Sequence, residues 1–353
     1  MSKHQHGGLV FTAANSLGIP WTEIIDFSAN INPLGQPQGL RKHLFATFPA
    51  TIHYPEVDAR ALVDKISALT SLPAKCILPG AGSTPQIRAL TRLLDPQRPV
   101  IIGPAFAEYE ESLSAAGKTP AYALASEEDG FLVGPKTVEE VSRLKPDLLF
   151  LANPANPTGR LVPVPTIEAL LDLSLAEGVY LVIDEAFINF TFRESIQELV
   201  LKYPRLVILR SLTKIFAIPG LRLAYLAAHP DLALKLKNLS EPWPINFMAL
   251  EAGLFSLPQA KYVLKTPLIT QTLRSLLLKV LASFSTPIPS DANFVLTKIW
   301  ARKDEFLAYL FSEGILVRDC ANFKGVGGSY LRFAVRPEAE IARLKDAASF
   351  FYA

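Results

Sequence analysis

The chain has 353 residues, 50% of them hydrophobic and 19% charged, and 35 basic side chains nearly balance 33 acidic ones for a net charge of +2. That length suits two domains with large buried cores, and the near-neutral balance gives no general electrostatic case for binding nucleic acid or an anionic membrane. Cys76 and Cys320, the two cysteines, lie far apart and make neither a disulfide framework nor a metal set. The opening Met1-Ser-Lys-His-Gln-His-Gly-Gly8 lacks the apolar core of a signal peptide, and no apolar run reaches the ~18 residues that span a bilayer. The expectation is a soluble cytoplasmic protein that takes a small molecule and holds any anion by local arrangements.

Residues 1–35 read as an arm with little regular structure, ending in the turn cluster Asn30-Ile-Asn-Pro-Leu-Gly35. Helical spacing is visible over 41–48 and 58–71. Then strands and helices alternate. A strand over 75–78 runs into Gly80-Ala-Gly-Ser-Thr-Pro85 and a helix to Leu94, and glycines with hydroxyls at a helix start form an anion site. A strand over 99–102 leads to a helix over 110–116, and a further strand is expected over 120–124. Asp147–Ala152 is the next strand and flows into Asn153-Pro-Ala-Asn-Pro-Thr-Gly159. A helix over 166–177 precedes the fully apolar strand Val179–Ile183, which ends on Asp184 and Glu185. A helical turn over 195–202 leads to the strand Leu206–Leu209, and another apolar run follows over 223–227. This alternation predicts an α/β domain built on a mainly parallel sheet covered by helices on both faces.

Beyond residue 232 the texture changes to long helical segments over 232–239, 246–255 and 265–284, with short strands over 294–297 and 330–335 and helices over 303–312 and 337–350. The predicted organisation is an arm over 1–35, a large domain over 36–235 and a smaller α+β domain over 236–353, with the arm packed on the small domain.

The chemistry gathers after Leu209. Lys214 follows Ser211 and Thr213, and Arg222 lies eight positions further on. An amine among phosphate-binding groups suits an aldehyde cofactor that carries a phosphate. Pyridoxal phosphate fits that description, because its carbonyl condenses with a lysine amine. In a parallel sheet the loops after the strands share one edge, so the segments at Gly80, Asn156, Asp184 and Lys214 can meet there.

Taken together, these motifs resemble the type-I-fold pyridoxal-phosphate-dependent enzymes of the aminotransferase class I/II superfamily over essentially the whole chain. The resemblance implies roles. Lys214 would bind the cofactor and move protons at the substrate Cα. Asp184 would pair with the pyridine N–H, Asn156 would donate to the ring 3′-oxygen, and Tyr109 would stack on the ring. Ser83, Thr84, Ser211, Thr213 and Arg222 would hold the phosphate. Tyr54 would reach the cofactor phosphate of a second copy, which implies a homodimer, and the Asn156–Pro157 bond is expected to be cis.

Two branches of the superfamily compete, the histidinol-phosphate aminotransferases and the threonine-phosphate decarboxylases of cobalamin biosynthesis. The second is favoured by His6-Gly-Gly8, by Asp26-Phe-Ser-Ala-Asn-Ile-Asn-Pro-Leu-Gly35, and by Asp184-Glu-Ala-Phe187, where the aminotransferases usually carry a tyrosine. Val317-Arg-Asp-Cys-Ala-Asn-Phe323 and Leu331-Arg-Phe-Ala-Val-Arg336 match it as well. Thr84-Pro85-Gln86 and the Lys324-Gly-Val-Gly-Gly-Ser loop depart from that branch. The substrate would carry a carboxylate and a phosphate. Arg332 matches the carboxylate-binding arginine, and Arg336, two steps along the same strand pattern, would add a cation on one face. His6, Asn32 and Arg318 are candidates for the substrate phosphate. A regulator that merely senses the cofactor would need an attached DNA-binding module, for which the residues before the helix at Arg41 are too few.

Overall fold

The computed structural model describes residues 7–353. Its strands, in chain order, are β1 (Ile25–Asp26), β2 (Ile77–Gly80), β3 (Pro99–Gly103), β4 (Ala121–Leu124), β5 (Leu148–Ala152), β6 (Tyr180–Asp184), β7 (Leu206–Ser211), β8 (Ala224–Ala228), β9 (Ser285–Pro287), β10 (Phe294–Ile299), β11 (Ile315–Leu316), β12 (Arg318–Asp319) and β13 (Tyr330–Ala334). Seven of them form one sheet in the order β2-β8-β7-β6-β5-β3-β4. Only β8 runs against its neighbours there; the ladders from β7 to β4 are parallel.

Parallel strands buried on both faces need apolar residues at every position, and β3, β5 and β7 are buried throughout. Alternate residues serve opposite faces. On one face Val100, Ile102, Leu149, Leu151, Ile183 and Ile208 pack with the helices Arg60–Thr70 and Val164–Glu177. On the other, Ile101, Leu148, Phe150, Val182 and Leu209 pack with Ser83–Leu94, Glu108–Ala115 and Pro230–Leu239. A helix over Pro135–Leu144, which the sequence reading does not anticipate, also belongs to the first face through Val141.

A second sheet, β12-β13-β10-β9, is antiparallel throughout. Its core joins Val295, Leu331 and Phe333 to the C-terminal helix Glu338–Tyr352 and to Phe27 of the N-terminal segment. The same segment adds β1 to β11 in a two-stranded parallel ladder. The cores do not divide at residue 235. Helix Phe247–Ser256 joins the large domain's core through Ala249, Leu250 and Ala252. The long helix Ala260–Leu281 places Tyr262 in the large core and Leu277 and Leu281 in the small one. Apolar helical texture cannot report which sheet a helix will cover.

Candidate active site

The C-terminal ends of β5, β6 and β7 open onto a cavity of about 340 Å³. Ser83, Thr84, Tyr109, Asn156, Asp184, Ser211, Thr213, Lys214, Arg222, Arg318 and Arg332 all line it. Eleven positions spread from residue 83 to residue 332 thus meet in one cavity.

Lys214 sits in the single helical turn Leu212–Ile215 that follows β7. Burial, reinforced by the positive charges of Arg222 and Arg332, lowers its amine from 10.5 to about 8. An amine near that value is partly unprotonated at neutral pH, which is the form that attacks a carbonyl.

Asp184 ends β6 and is 7% exposed. Its Oδ1 accepts from the Ala186 N–H at 3.0 Å and its Oδ2 from the Tyr109 hydroxyl at 2.8 Å. Burial raises this carboxyl above its ordinary range, against those two hydrogen bonds. A carboxylate accepts more than two donors, so a cationic N–H brought into the cavity would complete its shell and reverse the shift.

The helix Ser83–Leu94 begins at Gly82 with no side-chain cap, so its first-turn N–H groups are left for an anion. Arg222 lies across that start. A Cβ on Gly82 would fall 2.5 Å from Arg222 Nη2, and Gly82 has φ +93°, so only glycine suits the position. Ser211 and Thr213 hydroxyls stand 2.8 Å apart on the same wall. Together these groups form a cup that fits a phosphate dianion.

Asn156 follows β5 in a turn whose Asn153–Pro154 and Asn156–Pro157 bonds are both cis. Asn153 ties that turn to β6, its N–H donating to the Asp184 carbonyl at 2.9 Å. Asn156 Oδ1 accepts from Arg332 Nη1, which leaves its amide N–H₂ to donate into the cavity. The donor set therefore fits pyridoxal phosphate: an amine for its aldehyde, a buried carboxylate for its ring nitrogen, an amide for its ring oxygen and a cationic cup for its phosphate.

The opposite wall carries two arginines. Arg318 in β12 and Arg332 in β13 are directly opposed cross-strand partners, and they are 6% and 5% exposed. Like charges in that relation repel. Among the described residues neither meets a carboxylate. Arg318 donates to the Asp319 carbonyl at 2.6 Å and to Asn322 Oδ1 at 2.8 Å. Arg332 donates to Asn156 and, at 2.7 Å, to the Ser28 carbonyl, while its buried Nε has no partner among the described residues. Burial lowers Arg332 to about 10, which leaves it charged at neutral pH.

A model of the aminotransferase class I and II family matches residues 22–349. The chain belongs to that family. Pyridoxal phosphate, the cofactor that the family implies, is also the group the cavity fits. Among relatives, the threonine-phosphate decarboxylase of Salmonella typhimurium is 35% identical over 96% of this chain and 94% of its own length. Among solved structures, the histidinol-phosphate aminotransferase of Clostridium acetobutylicum is 28% identical, with a TM-score of 0.83 over 92% of this chain and 98% of that one. The L-threonine-O-3-phosphate decarboxylase of Porphyromonas gingivalis is 27% identical, with the same TM-score of 0.83 over 93% and 99%. Backbone likeness thus does not separate the two activities.

Two expectations, at Arg336 and Asn32, need correction. Arg336 does not share a face of the strand with Arg332: β13 ends at Ala334, and Arg336 instead grips Glu340 in the following helix, with Nε–Oε2 at 2.7 Å. Asn32 is buried outside the cavity wall, donating to the Ile215 carbonyl at 2.8 Å and to Thr266 at 3.2 Å; it braces the segment after Lys214. Tyr109 holds Asp184 through its phenol, and its ring lies parallel to Phe150 at 5.0 Å. Half-buried Phe106, edge-on to Tyr109 at 5.9 Å, also lines the cavity, so the aromatic wall is shared. Tyr54 is 80% exposed and stacked on Trp243 at 4.6 Å, away from this chain's cavity. His6 lies outside the described residues.

Sequence reasoning did not single out Phe106, Ala186, Phe323 or the Ser28–Asn30 backbone, all of which line the cavity. Phe323 had a signal, since the stretch that carries Arg318 ends on it, and Arg318 lies over its ring at 5.1 Å.

Proposed function

We propose that this chain is a pyridoxal-phosphate-dependent decarboxylase that converts L-threonine O-3-phosphate to (R)-1-aminopropan-2-yl phosphate and CO2, the step that the resemblance places in cobalamin biosynthesis. The observation that carries the reading is the opposed Arg318–Arg332 pair, buried in the cavity wall and facing no carboxylate among the described residues. Two buried cations with no carboxylate paired to them among the described residues suit a ligand with two anionic groups, here a carboxylate and a phosphate.

Bound at Lys214, the cofactor supplies an electron sink for the pair left at the substrate Cα. Asp184, backed by Tyr109, keeps a proton on the ring nitrogen. Arg332, held by Asn156 and the Ser28 carbonyl, would bind and orient the substrate carboxylate. Arg318 takes the phosphate. The Cα–carboxylate bond breaks, CO2 leaves, and Lys214 Nζ returns a proton to Cα. Phe187 lines the cavity with no phenol to offer. We further propose a homodimer, in which Tyr54 of each copy reaches the cofactor phosphate of the other.

The second reading is an aminotransferase acting on histidinol phosphate with a dicarboxylate acceptor, for which the same two arginines would serve; the equal likeness of fold supports it. Two measurements decide. Borohydride reduction followed by mass spectrometry should find the pyridoxyl group on Lys214, and an unmodified Lys214 in cofactor-loaded protein would sink the site assignment. O-phosphothreonine should release CO2 with no keto acid present; turnover of histidinol phosphate that needs 2-oxoglutarate, without CO2 release, would establish the second reading.

A further inference from the structure

A second cluster of charged groups lies directly behind the site, on the far face of the large sheet. Glu185 and Arg210 each sit one residue from a cavity-lining residue, Asp184 and Ser211 respectively, and alternation turns them to the opposite side. Their ion pair, Arg210 Nη1 to Glu185 Oε2, is 2.9 Å long, and the two side chains are 9% and 0% exposed. The surrounding groups are satisfied. The Ile196 N–H donates to Glu185 Oε1 at 3.1 Å, and Ser195 Oγ donates to Oε2. Arg210 Nη2 donates to Asn189 Oδ1 at 2.8 Å. Tyr225, the cross-strand partner of Arg210 on β8, donates to Gln197 at 2.7 Å.

We propose that Glu185 and Arg210 are positioning residues for the cofactor site: their buried pair fixes the spacing of Asp184 and Ser211 across β6 and β7 and keeps the net charge behind Asp184 at zero. The backbone fits this role, since the Glu185 N–H donates to the Leu209 carbonyl at 2.9 Å and so extends the ladder one step past Asp184. The field of the pair's carboxylate reaches the site. Glu185 acts on Asp184, which is also faced by Tyr109 and Lys214. Lys214 in turn is faced by Asp184, Arg222 and Arg332. An unbalanced charge in this cluster is little screened, because both side chains are buried.

The inference rests on the cofactor reading above but not on which reaction the enzyme runs. Its test is a pH titration of the absorbance of the chromophore that the cofactor aldehyde and the Lys214 amine form together in the unreduced holoenzyme. Glu185→Gln leaves the Arg210 charge unopposed, favours the unprotonated lysine nitrogen and should lower the midpoint by on the order of half a pH unit or more. Arg210→Met leaves Glu185 unopposed and should raise it. The double variant restores neutrality and should return to the wild-type midpoint. Where Arg210→Met does not fold, the Glu185→Gln arm decides; where neither single variant folds, the double variant does, and a displaced midpoint there overturns the inference. So does a folded Glu185→Gln enzyme with the wild-type midpoint, since a merely structural pair would change melting and leave the titration in place. A wild-type protein that never develops the chromophore refutes the cofactor reading instead.

Discussion

The cavity has a floor and a wall of different character. The floor is the carboxyl edge of the large sheet, where Asp184 has two donors, Ser211 and Thr213 share a hydrogen bond, and Arg222 is fitted against a glycine at a helix start. The wall comes from the small sheet and the N-terminal segment, and there two buried arginines oppose each other with no counter-ion among the described residues. A floor that is nearly complete in itself specifies one resident group. A wall that holds unmatched charge is built around whatever anion arrives. The family match speaks for the floor; the proposed substrate rests on the wall.

The sharpest way to break this contrast is at the wall. Arg332→Met and Arg318→Met should each lower kcat/KM for O-phosphothreonine by on the order of 10²–10³-fold, the range expected when one partner of a buried charge-assisted contact is lost. Cofactor content, read by absorbance, should stay near wild type in Arg318→Met; loss of the cofactor there would merge wall and floor.

The floor is tested by pH. In the proposed site Lys214 would capture the cofactor as the free amine, so the rate at which cofactor-free protein takes up pyridoxal phosphate should rise with pH through a midpoint near 8. Arg332→Met removes a positive charge that favours the neutral amine and should move that midpoint upward. A midpoint near the ordinary lysine value in the wild type would mean that burial is not acting on Lys214.

The smallest effect is expected at Arg336. Its guanidinium is engaged by Glu340 at the start of the last helix, so Arg336→Ala should change kcat/KM by less than about twofold and cost about 1 kcal/mol or less in stability. A large kinetic loss would return Arg336 to the substrate site.

The floor was largely legible in the sequence because buried parallel strands are written as continuous apolar runs, and each active group follows one of them: Asn156 after β5, Asp184 at the end of β6, Lys214 after β7. The wall was less so. β12 is two residues long and exists through its pairing with β13; no local pattern marks so short an element, and without it the opposition of Arg318 and Arg332 is invisible. The period-two pattern over 332–336 misplaced Arg336 because the strand stops at Ala334, and Pro337 then leads into a helix. The helix over Pro135–Leu144 escaped notice because its apolar residues are few among Lys136, Glu139, Glu140 and Arg143.

Gly82 has a consequence that reaches beyond its own backbone. Because Arg222 occupies the volume a Cβ would need, the smallest possible side chain at position 82 would evict the guanidinium from the helix start. Gly82→Ala would therefore act on the phosphate cup through Arg222, which couples the glycine to an arginine 140 positions away in the chain.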